Sequence, residues 1–253
     1  MAESLFIPSP LLARHGITAL FSLRHGGISQ PPFDSLNLGH KLGDEAAHVR
    51  ENLERLCRAA AAPQPHRSEQ VHGCDLLDCH GRGRQHATPA DILLTREPGC
   101  AVAVRTADCL PILLAAPVQG IVSAVHAGWR GTAMQVVRTA IQAMTRHGAD
   151  PAAIVATLGP CIGPCCFEVG PEVAEALVEK QPNAAIGPEK NGHFYPDLAA
   201  INRQQLLEAG LLPGHIETIN ACTSCDPERF FSHRRDAGHT GRHLAVVALP
   251  SAT

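Results

Sequence analysis

Apolar residues in this chain fall into short runs of strand length, and between those runs the spacing switches to a helical period. Ile17 to Leu23 is the first strand-like run. A loop follows at Arg24-His25-Gly26-Gly27-Ile28-Ser29, extended by Gln30-Pro31-Pro32. Val49, Leu53, Leu56 and Ala60 then recur at helical spacing, with Asp44 as the expected N-cap and Pro63 and Pro65 ending the helix. Gly81 to Pro89 is polar and Gly-rich and reads as a surface turn. Four apolar runs come next: Ile92 to Thr95, Ala101 to Val104, Leu110 to Ala115 and Ile121 to Val125. The last two are continuous enough for strands buried on both faces. A helix is predicted from Thr132, with Met134, Val137, Ile141 and Met144 on one stripe and Gly148 as its stop. Ile154 to Leu158 reads as a strand. Helices open at Pro171 and after Asp197, the second ending at Gly210, and Ile216 to Ile219 and Leu244 to Leu249 are the closing strands. No repeat, low-complexity tract or linker divides the chain, so the pattern predicts a single α/β domain over residues 1–253.

Composition narrows the function classes. The chain is 45% hydrophobic but only 4% aromatic, so aliphatic side chains must fill its core. A formal net charge of -3 without a Lys/Arg block argues against nucleic acid as a partner. No run of about 18 apolar residues is present, so no membrane span is expected, and Met1 to Pro10 does not read as a signal peptide. Ten cysteines without an export signal point to free thiols or metal ligands in a reducing, cytoplasmic compartment. No protein partner is implied.

The chemistry concentrates around Val125-His126-Ala127-Gly128-Trp129-Arg130-Gly131-Thr132, which holds the chain's one tryptophan. It reads as strand, tight turn and helix, with His126 at the strand's end, where α/β proteins place reactive groups. Two other segments set a metal-capable side chain beside a structural punctuation point: Glu69-Gln70-Val71-His72-Gly73 and Thr106-Ala107-Asp108-Cys109-Leu110-Pro111. His72, Cys109 and His126 would give zinc three protein ligands and leave a position open. The spacing matches no compact zinc motif, and a cysteine such as Cys109 taken alone is more often a small buried residue than a ligand.

These segments resemble the YfiH-type family, also called the laccase-domain or multicopper polyphenol oxidase family. The resemblance is carried by Gln70-Val71-His72, Ala107-Asp108-Cys109-Leu110-Pro111 and His126-Ala127-Gly128-Trp129-Arg130-Gly131. Further matches are Ser22-Leu23-Arg24-His25-Gly26-Gly27, Asn37-Leu38, Gly159-Pro160-Cys161-Ile162-Gly163, Phe167-Glu168-Val169 and Phe231-Ser232-His233-Arg234-Arg235-Asp236. It implies a single domain with a layered α-β-β-α core of mixed sheets, and a zinc ion on His72, Cys109 and His126. It also implies phosphorolysis of adenosine, inosine, guanosine and methylthioadenosine, with adenosine deamination as a companion activity. Some relatives are described instead as editors of peptidoglycan precursors. The oxidase name fits the residues poorly, because multicopper clusters rest largely on His-x-His pairs. This chain has none, and it has three methionines, Met1 included.

Roles follow from that chemistry. Deamination needs zinc-activated water at C6 of adenine and a proton carrier for the departing ammonia, for which Asp108 is adjacent in sequence. Phosphorolysis needs cations to hold phosphate against the ribose C1′. Arg24, Arg130 and Arg235 are the candidates for phosphate, and Asn37 for sugar or base. A rival reading makes Cys109 the nucleophile of a hydrolase acting on amides, with His126 or His72 as its base. Cys222-Thr223-Ser224-Cys225 and the group Cys161, Cys165 and Cys166 are open between a second zinc, a redox pair and idle thiols. Phe167, Phe194, Tyr195, Phe230 and Phe231 are open between base stacking and core packing.

Overall fold

The computed structural model describes residues 4–251, so the ends of the 1–253 domain span lie outside the described residues. Two sheets stack face to face. The larger has six strands in the order Ile216–Thr218, Val155–Leu158, Leu110–Ala116, Ile121–Ala127, Ile92–Thr95 and Leu76–Asp78. Its outermost pair on each side is parallel and its three inner pairings are antiparallel. The smaller sheet is antiparallel throughout, in the order Phe6–Pro8, Thr18–Ser22, His243–Ala248 and Ala101–Thr106.

The apolar pattern explains the layering. Successive side chains of a strand point to opposite faces, so a strand covered on both faces reads as an unbroken apolar run. Leu110–Ala116 and Ile121–Ala127 do this: every residue of both is buried. Leu113 and Val122 point inward, against Phe21, Val104 and Val247 of the smaller sheet. Ile112, Leu114 and Val125 point outward, under Val137, Ile141 and Met144 of helix Val136–Arg146 and beside Leu177 and Ile201. On the far side, Leu20, Ala103 and Val246 of the smaller sheet are covered by Leu53 and Leu56 of helix Ala46–Ala59. The order of layers is α-β-β-α. Among the described residues, no helix is long and apolar enough to cross a membrane.

Three sequence expectations need correction. Gly81 to Pro89 is not all turn: Gln85–Pro89 is a strand paired in parallel with Arg67–Glu69. It is short and polar and lacks an apolar face, so it carries no period-2 signal. The helix expected from Thr132 is two helices, Trp129–Ala133 and Val136–Arg146, split where Gln135 takes φ 60. The split turns Met134 away from the core, where it is exposed. Asp44 does not cap helix Ala46–Ala59; Glu45 holds that position without a side-chain bond. Asp44 instead accepts from Ser29 Oγ (2.7 Å) and Asn37 Nδ2 (2.8 Å), tying down the loop after the Thr18–Ser22 strand.

Candidate metal centre

Three segments distant in sequence meet at one end of the central hairpin. Pro111 is in register with His126, so the turn preceding Leu110–Ala116 carries Cys109 to the end of Ile121–Ala127. Asp108 makes that turn with φ 87, a strained conformation for a residue with a side chain. The loop after Arg67–Glu69 brings in His72, at φ 61.

Cys109 Sγ lies 3.8 Å from His72 Nε2, and the His72 and His126 ring centroids are 4.8 Å apart. One ligand atom from each of the three lies within 4.8 Å of the others. Ligand atoms around a tetrahedral zinc sit about 3.3–3.8 Å apart, given Zn–S near 2.3 Å and Zn–N near 2.0–2.1 Å. The donor set and its spacing fit that ion. Burial pushes the Cys109 thiol up, but His126 and His72 outweigh it and bring it down to about 6. That favours the thiolate a metal needs. Burial disfavours a charged His126, but Cys109 and Asp91 outweigh it and raise it to about 9.

Asp91 organises the centre and is a residue the sequence reading missed. It is fully buried and bonds His126 Nδ1 at 2.7 Å, so Nε2 is the ring nitrogen turned toward Cys109. Its carboxylate also accepts the backbone N–H groups of Val71 (3.0 Å), His72 (3.0 Å) and Gly73 (2.8 Å). One carboxylate thus orients the His126 ring and fixes the loop that carries His72. The available sequence signal was an acid immediately before the buried strand Ile92–Thr95, which must find partners.

A cleft of about 300 Å³ opens onto His72, Cys109 and His126, walled by His40, Glu69, Gln70, Arg105, His233 and Arg242. Arg105 donates to Gln85 Oε1 (3.1 Å), to the Ser68 carbonyl and to His40. Arg242 donates to the carbonyls of Thr240 (2.9 Å) and Gly241 (3.0 Å) and to His233 Nδ1 (3.5 Å). None of these acceptors is a carboxylate. Burial, with Arg67 nearby, outweighs the Glu69 carboxylate and lowers Arg105 to about 10, still charged at neutral pH. Neither guanidinium bonds a carboxylate, and Glu69 on the same wall is engaged by Lys41 (2.8 Å) and His40 (3.1 Å), so the two arginines leave the cleft attractive to an anion.

The four expected substrate-binding residues are not among those lining the cleft. Arg24 donates to the Asp34 carbonyl (3.0 Å), Asp34 Oδ2 (3.1 Å) and the Pro227 carbonyl (2.8 Å), which makes it a loop staple. Asn37 is buried, and its Oδ1 accepts the backbone N–H of Arg242 (2.9 Å), so it supports the wall from behind. Arg235 pairs with Asp236 (2.8 Å) and donates to the Thr223 carbonyl (2.9 Å). Arg130 stacks on Trp129 at 4.3 Å and lines a separate surface groove with Met134. Asp108 has both carboxylate oxygens engaged, by Thr223 Oγ1 (2.6 Å) and the Arg234 backbone N–H (2.7 Å), and is a turn anchor rather than a free proton carrier. Phe230 and Phe231 are buried in the core. The two cleft arginines were missed although each lies near a quoted motif.

The family model described as multi-copper polyphenol oxidoreductase laccase matches residues 18–250. The chain belongs to this family. Within it, the purine nucleoside phosphorylase YlmD of Geobacillus stearothermophilus is 40% identical over 246 residues, covering 92% of this chain and 90% of that protein. The purine nucleoside phosphorylase YfiH of Escherichia coli is 40% identical over 240 residues, covering 92% and 94%. A crystal structure of YlmD from Geobacillus stearothermophilus matches the fold with a TM-score of 0.91 at 37% identity, covering 99% of this chain and 98% of that one. The family's copper-oxidase description finds little support in the side chains. The three His/Cys groups among the described residues contain at most two histidines each, far from a histidine-lined copper cluster.

Proposed function

We propose that this chain is a zinc-dependent, cytoplasmic purine nucleoside phosphorylase acting on adenosine, inosine, guanosine and methylthioadenosine, with adenosine deamination at the same site. His72, Cys109 and His126 hold the zinc. The observation that carries the reading is the pair Arg105 and Arg242, without carboxylate partners, on the wall of the cleft those ligands share. We assign the phosphate to these two arginines in place of Arg24, Arg130 and Arg235, whose donors are engaged with carbonyls and carboxylates or whose side chains stand elsewhere.

In phosphorolysis a phosphate oxygen bonds to the ribose C1′ as the bond from C1′ to the purine N9 breaks. Arg105 and Arg242 hold the nucleophile and reduce the charge repulsion of its approach. Gln70 fixes the Arg105 backbone from both sides, accepting its N–H and donating to its carbonyl, each at 2.8 Å. Zinc, when bound, supplies Lewis acidity toward the purine and toward water. Asp91 keeps the His126 Nδ1 proton in place and so keeps Nε2 directed at the metal position.

A second reading has its own observation. Cys109, brought down toward neutrality beside a His126 that Asp91 orients, is also the arrangement of a Cys–His–Asp hydrolase, with amides as substrates. Turnover of inosine and adenosine before and after zinc removal separates the two. The phosphorylase reading requires that phosphorolysis and deamination vanish together and return together with zinc. Full amidase activity in zinc-free protein would favour the hydrolase. Loss of one nucleoside activity with retention of the other would contradict the shared site.

A further inference from the structure

Four cysteines outside the cleft come together on the far side of the Asp108 turn. Cys165 and Cys166 lie in the turn after Pro164, and Cys222 and Cys225 in the segment after Ile216–Thr218. Paired backbone bonds set these segments side by side: Cys161 N–H to the Ala221 carbonyl (3.3 Å) and Thr223 N–H to the Cys161 carbonyl (3.0 Å). The four Sγ atoms all lie within 4.8 Å of one another. Cys225 Sγ is 3.5 Å from Cys165 Sγ and 3.2 Å from Cys166 Sγ. The Gly163 amide donates to Cys222 Sγ at 3.2 Å.

We infer that Cys165, Cys166, Cys222 and Cys225 form a second, structural zinc site, separate from His72, Cys109 and His126. Four sulfurs around one tetrahedral zinc stand about 3.8 Å apart, since Zn–S is near 2.3 Å. The separations of 3.2 and 3.5 Å, with none above 4.8 Å, lie near that value. Disulfides would use the sulfurs in pairs, yet one sulfur here faces two, from adjacent residues. The mutual closeness of all four suits a single ion. Four thiolates suit a soft divalent ion and leave no position for water, the mark of a structural site. Binding releases whatever protons the thiols carry and changes no oxidation state.

The site has a defined mechanical role. Thr223, within the C-x-x-C, holds Asp108 Oδ1, and the Arg234 backbone N–H holds Oδ2. The Arg234 guanidinium in turn donates to the carbonyls of Cys166 (3.4 Å) and Glu168 (2.8 Å). The second zinc braces these loops and, through the Asp108 turn, the position of Cys109. The inference does not rest on the nucleoside chemistry proposed above.

The test is elemental analysis of the full chain purified under reducing conditions without added metal. Wild type carries two zinc per chain, and Cys165→Ser and Cys225→Ser each carry one. His126→Ala also keeps one, and after cobalt exchange it shows strong thiolate-to-cobalt charge-transfer absorption that Cys225→Ser in the same background removes. Should the serine variants fail to fold, cysteine alkylation of wild type mapped by peptide mass spectrometry decides. All four positions are protected until a chelator is added. One zinc per wild-type chain that Cys225→Ser retains, iron in place of the second zinc, a disulfide among the four, or alkylation indifferent to chelator would each overturn the inference. Failure of phosphorolysis with two zinc present would count against the nucleoside reading alone.

Discussion

At the scale of single residues, Asp91 and Arg242 divide the site's work. Asp91 is fully buried, bonds His126 Nδ1 and pins the His72 loop. Removing the charge while keeping the shape isolates that function. Asp91→Asn is expected to weaken zinc binding about 10–100-fold, the usual cost of losing an outer partner of a ligating histidine. Competition with a chromophoric chelator reads it directly, and unchanged zinc affinity would deny Asp91 its role. Arg242 is expected to behave oppositely. Losing a charge-assisted contact worth about 1.5–3 kcal/mol, Arg242→Ala should raise the KM for phosphate about 10–100-fold. Its zinc content should stay at the wild-type value. Loss of zinc with unchanged phosphate KM would place Arg242 in the metal's support instead.

At the scale of elements, the turn between strand Ile121–Ala127 and helix Trp129–Ala133 sets how closely His72 and Cys109 approach it. Gly128 has φ -71, so its backbone would accept any residue; space is what selects glycine. A Cβ there would stand 2.9 Å from His72 Cδ2 and 3.0 Å from Cys109 Sγ. Gly128→Ala should therefore keep the fold, with Tm in the metal-free state near wild type, and lose zinc affinity. Retained affinity would mean that His72 shifts freely. This turn was legible in the sequence because an apolar run, a glycine and a helical period follow one another. The two arginines of the cleft were not legible. Arg105 sits near the end of strand Ala101–Thr106 and Arg242 just before His243–Ala248, positions that read as ordinary strand-end cations. Their meeting depends on the register of those two neighbouring strands, which periodicity does not encode. The break at Gln135 was hidden for a related reason: its left-handed backbone is held without a glycine to announce it.

At the scale of the whole molecule, a single α/β domain was legible as alternating elements, the layering of two sheets between helices was legible only through the family resemblance, and the unbroken runs at Leu110–Ala116 and Ile121–Ala127 marked strands covered on both faces. The packing also buries His243, which accepts the Phe231 N–H at 2.8 Å between Phe230 and Phe231. Burial, reinforced by Arg24, lowers it from 6.5 to about 3. As pH falls from 6.5 toward 3, the unfolded chain takes up a proton there that the folded chain refuses, so stability drops through that window. Urea midpoints across this range should fall less steeply in His243→Gln than in wild type, and equal slopes would remove His243 from the account of acid sensitivity. The central claim concerns the union of the metal centre with an anion cleft, and product analysis of inosine turnover in phosphate-containing and phosphate-free buffer tests it most directly. Zinc-loaded wild type should form ribose-1-phosphate and hypoxanthine only with phosphate present, and free ribose released at the same rate without phosphate would contradict it.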